Sequence, residues 1–257
     1  MTNSNFVSLP EYLTRKDGVR IAFHHIPAAG GKNAAPTIVF LPGYMSDMNG
    51  SKALALEEWA IKNRRSILRL DYSGCGQSEG DFASSTFEIW RDDVLLAIEI
   101  ILRGGPVILV GSSMGGWVML MAARMLGSSV KGIIGIAAAP DFTQWGFSDA
   151  GKTTIRRDGV LLSDNPYGTE PTPTYRKLFE NGERNLQLTG IIPIDCPVRL
   201  LHGQCDADVP WDISVQTAAR LRSSDVQIIL VKDGDHRLSR PQDIQLLLDI
   251  AARMPPY

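Results

Sequence analysis

Cysteine is scarce in this chain: 257 residues hold three, Cys75, Cys196 and Cys205. An odd number cannot all pair internally, and their spacing fits no metal-ligand pattern. A cysteine metal centre is not expected, and reduced thiols of an intracellular protein are. Excess charge is also lacking. Lys and Arg number 26 against 28 Asp and Glu, a net charge of −2. That argues against a nucleic-acid partner and against an anionic membrane surface. No apolar run approaches the ~20 residues that cross a bilayer, so stable membrane insertion is not expected. Met1-Thr2-Asn3-Ser4-Asn5-Phe6 carries neither the basic nor the apolar region of a secretory signal. It also lacks the Arg-rich amphipathic character of a transit peptide, and a cytoplasmic protein is the expectation. Histidine is rare as well, with four in all, which makes each one easy to weigh.

What is present is a core-forming chain, 44% hydrophobic. Residues 11–26 read as a hairpin around Lys16-Asp17-Gly18. Short apolar runs then alternate with helical periods. Buried strands are predicted at 37–41, 66–70, 106–110, 133–137, 198–201 and 226–231. Helices are predicted at 52–63, 87–102, 117–126, 214–221 and 243–252. Such alternation implies an α/β fold, a mostly parallel central sheet with helices on both faces. The pattern breaks at about 142–190. Pro166, Pro171 and Pro173 are interspersed there with Gly, Asp, Asn and Thr, and no β-branched run occurs. Thr174 to Leu188 reads as a helix. Trp145, Phe147, Tyr167, Tyr175 and Phe179 give the stretch apolar anchors, so it is expected to be a lid insertion. The reading is one domain over 1–257, with core 1–141 and 191–257.

The chain is organised around Gly111-Ser112-Ser113-Met114-Gly115-Gly116. An apolar strand precedes it and a helix follows it, the context in which Gly-x-Ser-x-Gly forms a nucleophile elbow. Ser113 sits at the centre of the pattern. A serine hydroxyl is a poor nucleophile and needs a base within hydrogen-bond reach. His24 and His25 lie in the N-terminal hairpin and read as packing or surface residues. His202 ends a strand and reads as shaping the following loop. His236 follows the last strand, where ligands of parallel sheets gather, and is the expected base. The base needs an orienting carboxylate. Asp206 and Asp208 both follow a strand end between Ser113 and His236; Asp206 is favoured. The developing oxyanion needs two donors. The N–H of Met114, after the nucleophile, is one; the N–H of Tyr44, in Leu41-Pro42-Gly43-Tyr44-Met45, is the other. Gly43 would let the backbone approach the substrate, and Trp145 is the expected aromatic contact from the lid. Trp117 reads as core.

These residues resemble the α/β-hydrolase family. The resemblance is narrower than the elbow alone, which the whole superfamily shares. It rests on Leu-Pro-Gly-Tyr-Met-Ser-Asp-Met-Asn-Gly over 41–50 and Asp-Tyr-Ser-Gly-Cys-Gly-Gln-Ser-Glu-Gly over 71–80. It continues with Gly-Ser-Ser-Met-Gly-Gly-Trp over 111–117, Cys-Pro-Val-Arg-Leu-Leu-His-Gly over 196–203 and Asp-His-Arg over 235–237. Together they are similar to the branch of mitochondrial palmitoyl-protein thioesterases that also act as acyl-glucuronide esterases, with its bacterial relatives. The likeness fades in the lid. It implies the α/β-hydrolase fold and hydrolysis of small-molecule or acyl-protein esters and thioesters, without metal or organic cofactor. The family's nucleophile, acid and base fall on Ser113, Asp206 and His236. A perhydrolase or carbon–carbon bond hydrolase would use the same three residues, because fold and triad do not fix a reaction. A non-catalytic receptor has no need of all three.

Overall fold

The computed structural model describes residues 9–28 and 35–254. The reading of the first six residues lies outside the described residues. The chain opens with β1 (Glu11–Thr14) and β2 (Arg20–Ile26), paired antiparallel. Their turn is closed by a bond from Arg15 N–H to Val19 carbonyl, and Gly18 takes a φ of 90° there. That left-handed geometry favours glycine.

The alternating units follow: β3 (Thr37–Leu41), α1 (Ser51–Lys62), β4 (Ile67–Leu70), α2 (Phe87–Leu102), β5 (Val107–Ser112), α3 (Met114–Leu126) and β6 (Val130–Ile136). After an excursion come β9 (Val198–Gly203), α7 (Asp212–Arg220), β10 (Val226–Val231) and α8 (Pro241–Arg253). The sheet has eight strands in the order β1-β2-β4-β3-β5-β6-β9-β10. Pairings among β4, β3, β5, β6, β9 and β10 are all parallel. β2 joins β4 antiparallel at one side. The central strands are mainly apolar because both faces are covered. Along β5, Val107 and Leu109 enter the layer that holds Trp90 and Trp117, while Ile108 and Val110 enter the layer that holds Ile38 and Leu247. Alternation on one strand thus feeds two cores.

Helix ends follow local chemistry. The Thr86 hydroxyl accepts from Ile89 N–H and starts α2, which stops at Arg103 in the left-handed region. The helices run close to the expected limits. α3 differs in its start: it begins at Met114, immediately after the elbow serine, rather than at 117.

The excursion between β6 and β9 is built of α4 (Phe142–Trp145), α5 (Asp149–Asp158), β7 (Val160–Ser163), β8 (Thr172–Tyr175) and α6 (Arg176–Arg184). β7 and β8 form a separate antiparallel ribbon, which the sequence reading does not contain. Pro173 hid it, since a proline donates nothing to a ladder and reads as a break. In this two-stranded ribbon its carbonyl still works: it accepts from the Tyr44 hydroxyl at 2.6 Å. α6 ends at Arg184 rather than Leu188. The N–H groups of Gln187 and Leu188 turn instead to the Asp141 carboxylate, each at 2.7 Å. Asp141 therefore fastens both stems of the excursion together.

Candidate active site

Four loops meet beyond the carboxyl ends of β3, β5, β9 and β10. Ser113 stands between β5 and α3 with φ 53° and ψ −123°. This is a strained position for a residue with a side chain. It is held by bonds from Ser113 N–H to Ile136 carbonyl at 2.9 Å and from Ala139 N–H to Ser113 carbonyl at 3.0 Å. The glycines around it permit the close packing. A Cβ on Gly115 would stand 2.3 Å from the Leu41 carbonyl oxygen, and one on Gly111 would stand 2.6 Å from that of Gly115. Gly43 lies beside the serine; a Cβ there would meet Ser113 Cβ at 3.3 Å.

Three side chains far apart in sequence form a continuous hydrogen-bonded line. Ser113 Oγ lies 3.0 Å from His236 Nε2, and His236 Nδ1 lies 2.9 Å from Asp206 Oδ2. Asp206 Oδ1 accepts from the N–H groups of Asp208 at 2.9 Å and Val209 at 2.8 Å. His202, fully buried, adds its Nε2 to Asp206 Oδ2 at 3.1 Å. Burial by itself would push the Asp206 carboxyl up. Hydrogen bonds from His202 and His236, the charge of His236 and the Val209 N–H outweigh it, and the group is held well below the usual carboxylate range. An ionised Asp206 accepting from Nδ1 leaves Nε2 free to accept from the serine hydroxyl.

Asp208, the other carboxylate weighed from the sequence, points to a different partner. Its Oδ2 accepts from the Tyr167 hydroxyl at 2.5 Å. One atom each of Asp206, Asp208 and His236 lie within 4.8 Å of one another, close enough to share a metal ion. Asp206 Oδ2 already pairs with His236 Nδ1, and Asp208 Oδ2 with the Tyr167 hydroxyl.

A cavity of about 290 Å³ opens beside Ser113. Gly43, Tyr44, Lys52, Tyr167, His236 and Arg237 are among its walls. Met114 is buried under the elbow at the start of α3, and Tyr44 follows Gly43 at the cavity wall. The Tyr44 ring packs against Phe82, Trp90 and Phe142. Trp145 is elsewhere. Its indole N–H donates to the Pro140 carbonyl at 3.0 Å, and its ring packs with Ala139, Val209 and Ile213. Trp117 is core, and its indole N–H donates to Asn185 carbonyl at 3.0 Å. His24 is buried and His25 half-buried on β2, away from the site.

Lys52, Tyr167 and Arg237 are among the wall residues that the sequence does not mark as site residues. Tyr167 counted only as an apolar anchor, Arg237 only as part of a motif, and Lys52 only as the start of a helix. No periodicity marks them, because each reaches the site from a loop or a helix's first turn. Lys52 Nζ donates to the Arg237 carbonyl. Burial, with repulsion from Arg237, pulls the Lys52 ammonium down to about 8 despite Asp235 and Asp243 nearby.

Residues 38–244 match the Alpha/beta hydrolase family. The chain belongs to that family. Among its relatives is the mitochondrial palmitoyl-protein thioesterase ABHD10 of Homo sapiens, 41% identical over 241 residues, which are 92% of this chain and 77% of that protein. The crystal structure of a putative hydrolase from Agrobacterium vitis S4 superposes with a TM-score of 0.89 at 35% identity, covering 95% of this chain and 98% of that one. Alpha/beta hydrolase domain-containing protein 10 from mouse superposes with a TM-score of 0.86 at 37% identity, covering 95% and 97%. This alpha/beta hydrolase has the expected fold and the expected resemblance. The cytoplasmic expectation is overturned: relatives matched over 92% of the chain are mitochondrial proteins. A missing leader pattern says nothing about where related chains reside. Among the described residues, no helix is long and apolar enough to cross a membrane.

Proposed function

We propose that this alpha/beta hydrolase cleaves carboxylic esters or acyl thioesters, of small molecules or of acylated proteins, through an acyl-enzyme on Ser113. The observation that carries the reading is the line from Ser113 Oγ through His236 to a buried, ionised Asp206. The thioesterase named among its relatives supports it.

In the proposed reaction, Oγ attacks the acyl carbonyl while His236 Nε2 takes the hydroxyl proton. Asp206 holds Nδ1–H and stabilises the imidazolium. The N–H groups of Met114 and Tyr44 receive the oxyanion, and Gly43 keeps that approach open. His236 then gives its proton to the departing oxygen or sulfur as the carbon–heteroatom bond breaks. Water, deprotonated by His236, attacks the acyl-enzyme and releases the acid and Ser113. The mechanism uses these side chains and two backbone donors throughout. Residues 142–190 act as a lid on a single domain whose core is 1–141 and 191–257.

Covalent labelling tests the assignment. A fluorophosphonate should modify Ser113, located by peptide mass, and Ser113→Ala should abolish both labelling and hydrolysis. Hydrolysis retained by Ser113→Ala would remove the reading.

A further inference from the structure

The cavity beside Ser113 reaches both the β3 loop, through Gly43 and Tyr44, and the loop that carries His236. Lys52, Arg237 and Ser239 line it together with His236. In acyl transfer the base returns its proton to the leaving group, so the leaving group must lie on the side of His236. The part of this cavity against His236 is therefore the space for the departing alcohol or thiol. At about 290 Å³ the whole cavity falls at the small end of ligand pockets, roughly 300–1,000 Å³.

Among the described residues, Tyr167 is the one wall of that cavity drawn from the excursion. It belongs to the connection between β7 and β8. Two fastenings hold it. Its hydroxyl donates to Asp208 Oδ2 at 2.5 Å, on the loop that carries Asp206. Its ring lies under the Arg237 guanidinium, 5.5 Å from the centroid, on the loop that carries His236. The ring thus bridges the two loops that bear the base and its carboxylate. It is also 54% exposed, so it stands at the cavity mouth and not in the core. Swinging it aside gives up one hydrogen bond and one cation–π contact and uncovers little apolar surface.

We propose that Tyr167 determines leaving-group specificity: latched between Asp208 and Arg237, it admits acyl groups carried on compact alcohols or thiols and obstructs those carried on a protein's cysteine. This rests on the hydrolase reading above. A compact thiol fits within the cavity as it stands. A cysteine in a folded protein brings its backbone and neighbours, and these collide with the bridge until the latch is released. The latch therefore ranks substrates by the bulk of what leaves, whatever the acyl chain.

The test compares two thioesters with one acyl group: S-octanoyl-N-acetylcysteamine and a folded protein S-octanoylated on a single surface cysteine. Wild type, Tyr167→Phe and Tyr167→Ala are assayed on both. The wild type favours the compact thioester. Tyr167→Phe keeps the ring and loses the bond to Asp208, and raises the protein-to-compact ratio of kcat/KM about threefold, as one hydrogen bond allows. Tyr167→Ala removes both fastenings and raises it about tenfold or more, through KM for the protein substrate. Both substrates see the same preparation, so a loss of folded enzyme cancels in the ratio. An unchanged or falling ratio overturns the proposal, as does a wild type that turns over both thioesters equally. Failure of the wild type on both thioesters strikes at the hydrolase reading itself, and this inference falls with it.

Discussion

His202 shares an oxygen of Asp206 with His236: its Nε2 lies 3.1 Å from Oδ2, and its Nδ1 lies 2.7 Å from the Ser214 hydroxyl on α7. The buried histidine that ends β9 thus orients the carboxylate that orients the base. A hydrogen bond to a charged group contributes about 1.5–3 kcal/mol, and 1.4 kcal/mol is tenfold in rate. His202→Ala is expected to lower kcat/KM about tenfold or more while the chain stays folded by circular dichroism. An unaltered kcat/KM would show that Asp206 needs no such support.

The two carboxylates of one loop are expected to separate cleanly. Asp206 meets His236; Asp208 meets Tyr167. Asp206→Asn should reduce kcat about 10³–10⁴-fold, because the imidazole loses its charged partner and the tautomer it requires. Asp208→Asn keeps an acceptor for Tyr167 and should stay within about tenfold of wild type. Steady-state kinetics on a single ester decides the order.

Gly115 marks where the elbow and the β3 loop touch. A methyl group there would stand 2.3 Å and 2.4 Å from the carbonyl oxygens of Leu41 and Pro42. Both are backbone atoms, so the loop bearing Gly43 and Tyr44 must move. Gly115→Ala should cost about 1–3 kcal/mol of stability, measured by urea unfolding. It should lower kcat well beyond the folded fraction, because the Tyr44 N–H is displaced.

Lys52 gives a pH signature. Its folded value of about 8 lies below the ordinary 10.5, so the unfolded chain holds the proton more tightly. At neutral pH both states are protonated, and burying the charge disfavours folding. Between about pH 8 and 10.5 the folded state has lost the proton while the unfolded state keeps it, so this penalty fades and stability rises with pH. Lys52→Met lacks that contribution. The difference in unfolding free energy, wild type minus variant, should therefore rise across that window. A flat difference would contradict it.

Much of this arrangement was legible because it follows periodicity and punctuation. The strands at 37–41 and 226–231 are continuous apolar runs, and Gly111 to Gly116 marks the elbow between strand and helix. Chain order and the strand-end rule separated His236 from His24 and His25. The excursion was less legible. The β7–β8 ribbon rests on tertiary contacts, such as the Tyr44 hydroxyl on Pro173, and propensity does not report those. Trp145 reads from the sequence as a substrate contact because it stands at the entrance of the lid. In the fold its indole is turned to Pro140, and Tyr167, a loop residue without pattern, takes the place at the cavity.

The most direct measurement is rapid-mixing hydrolysis of p-nitrophenyl esters and acyl thioesters of increasing chain length, with wild type beside Ser113→Ala. The account predicts a burst of released alcohol or thiol close to one equivalent per active site, followed by slower turnover, with neither in Ser113→Ala. Release without acylation of Ser113, or equal release by the variant, would contradict it.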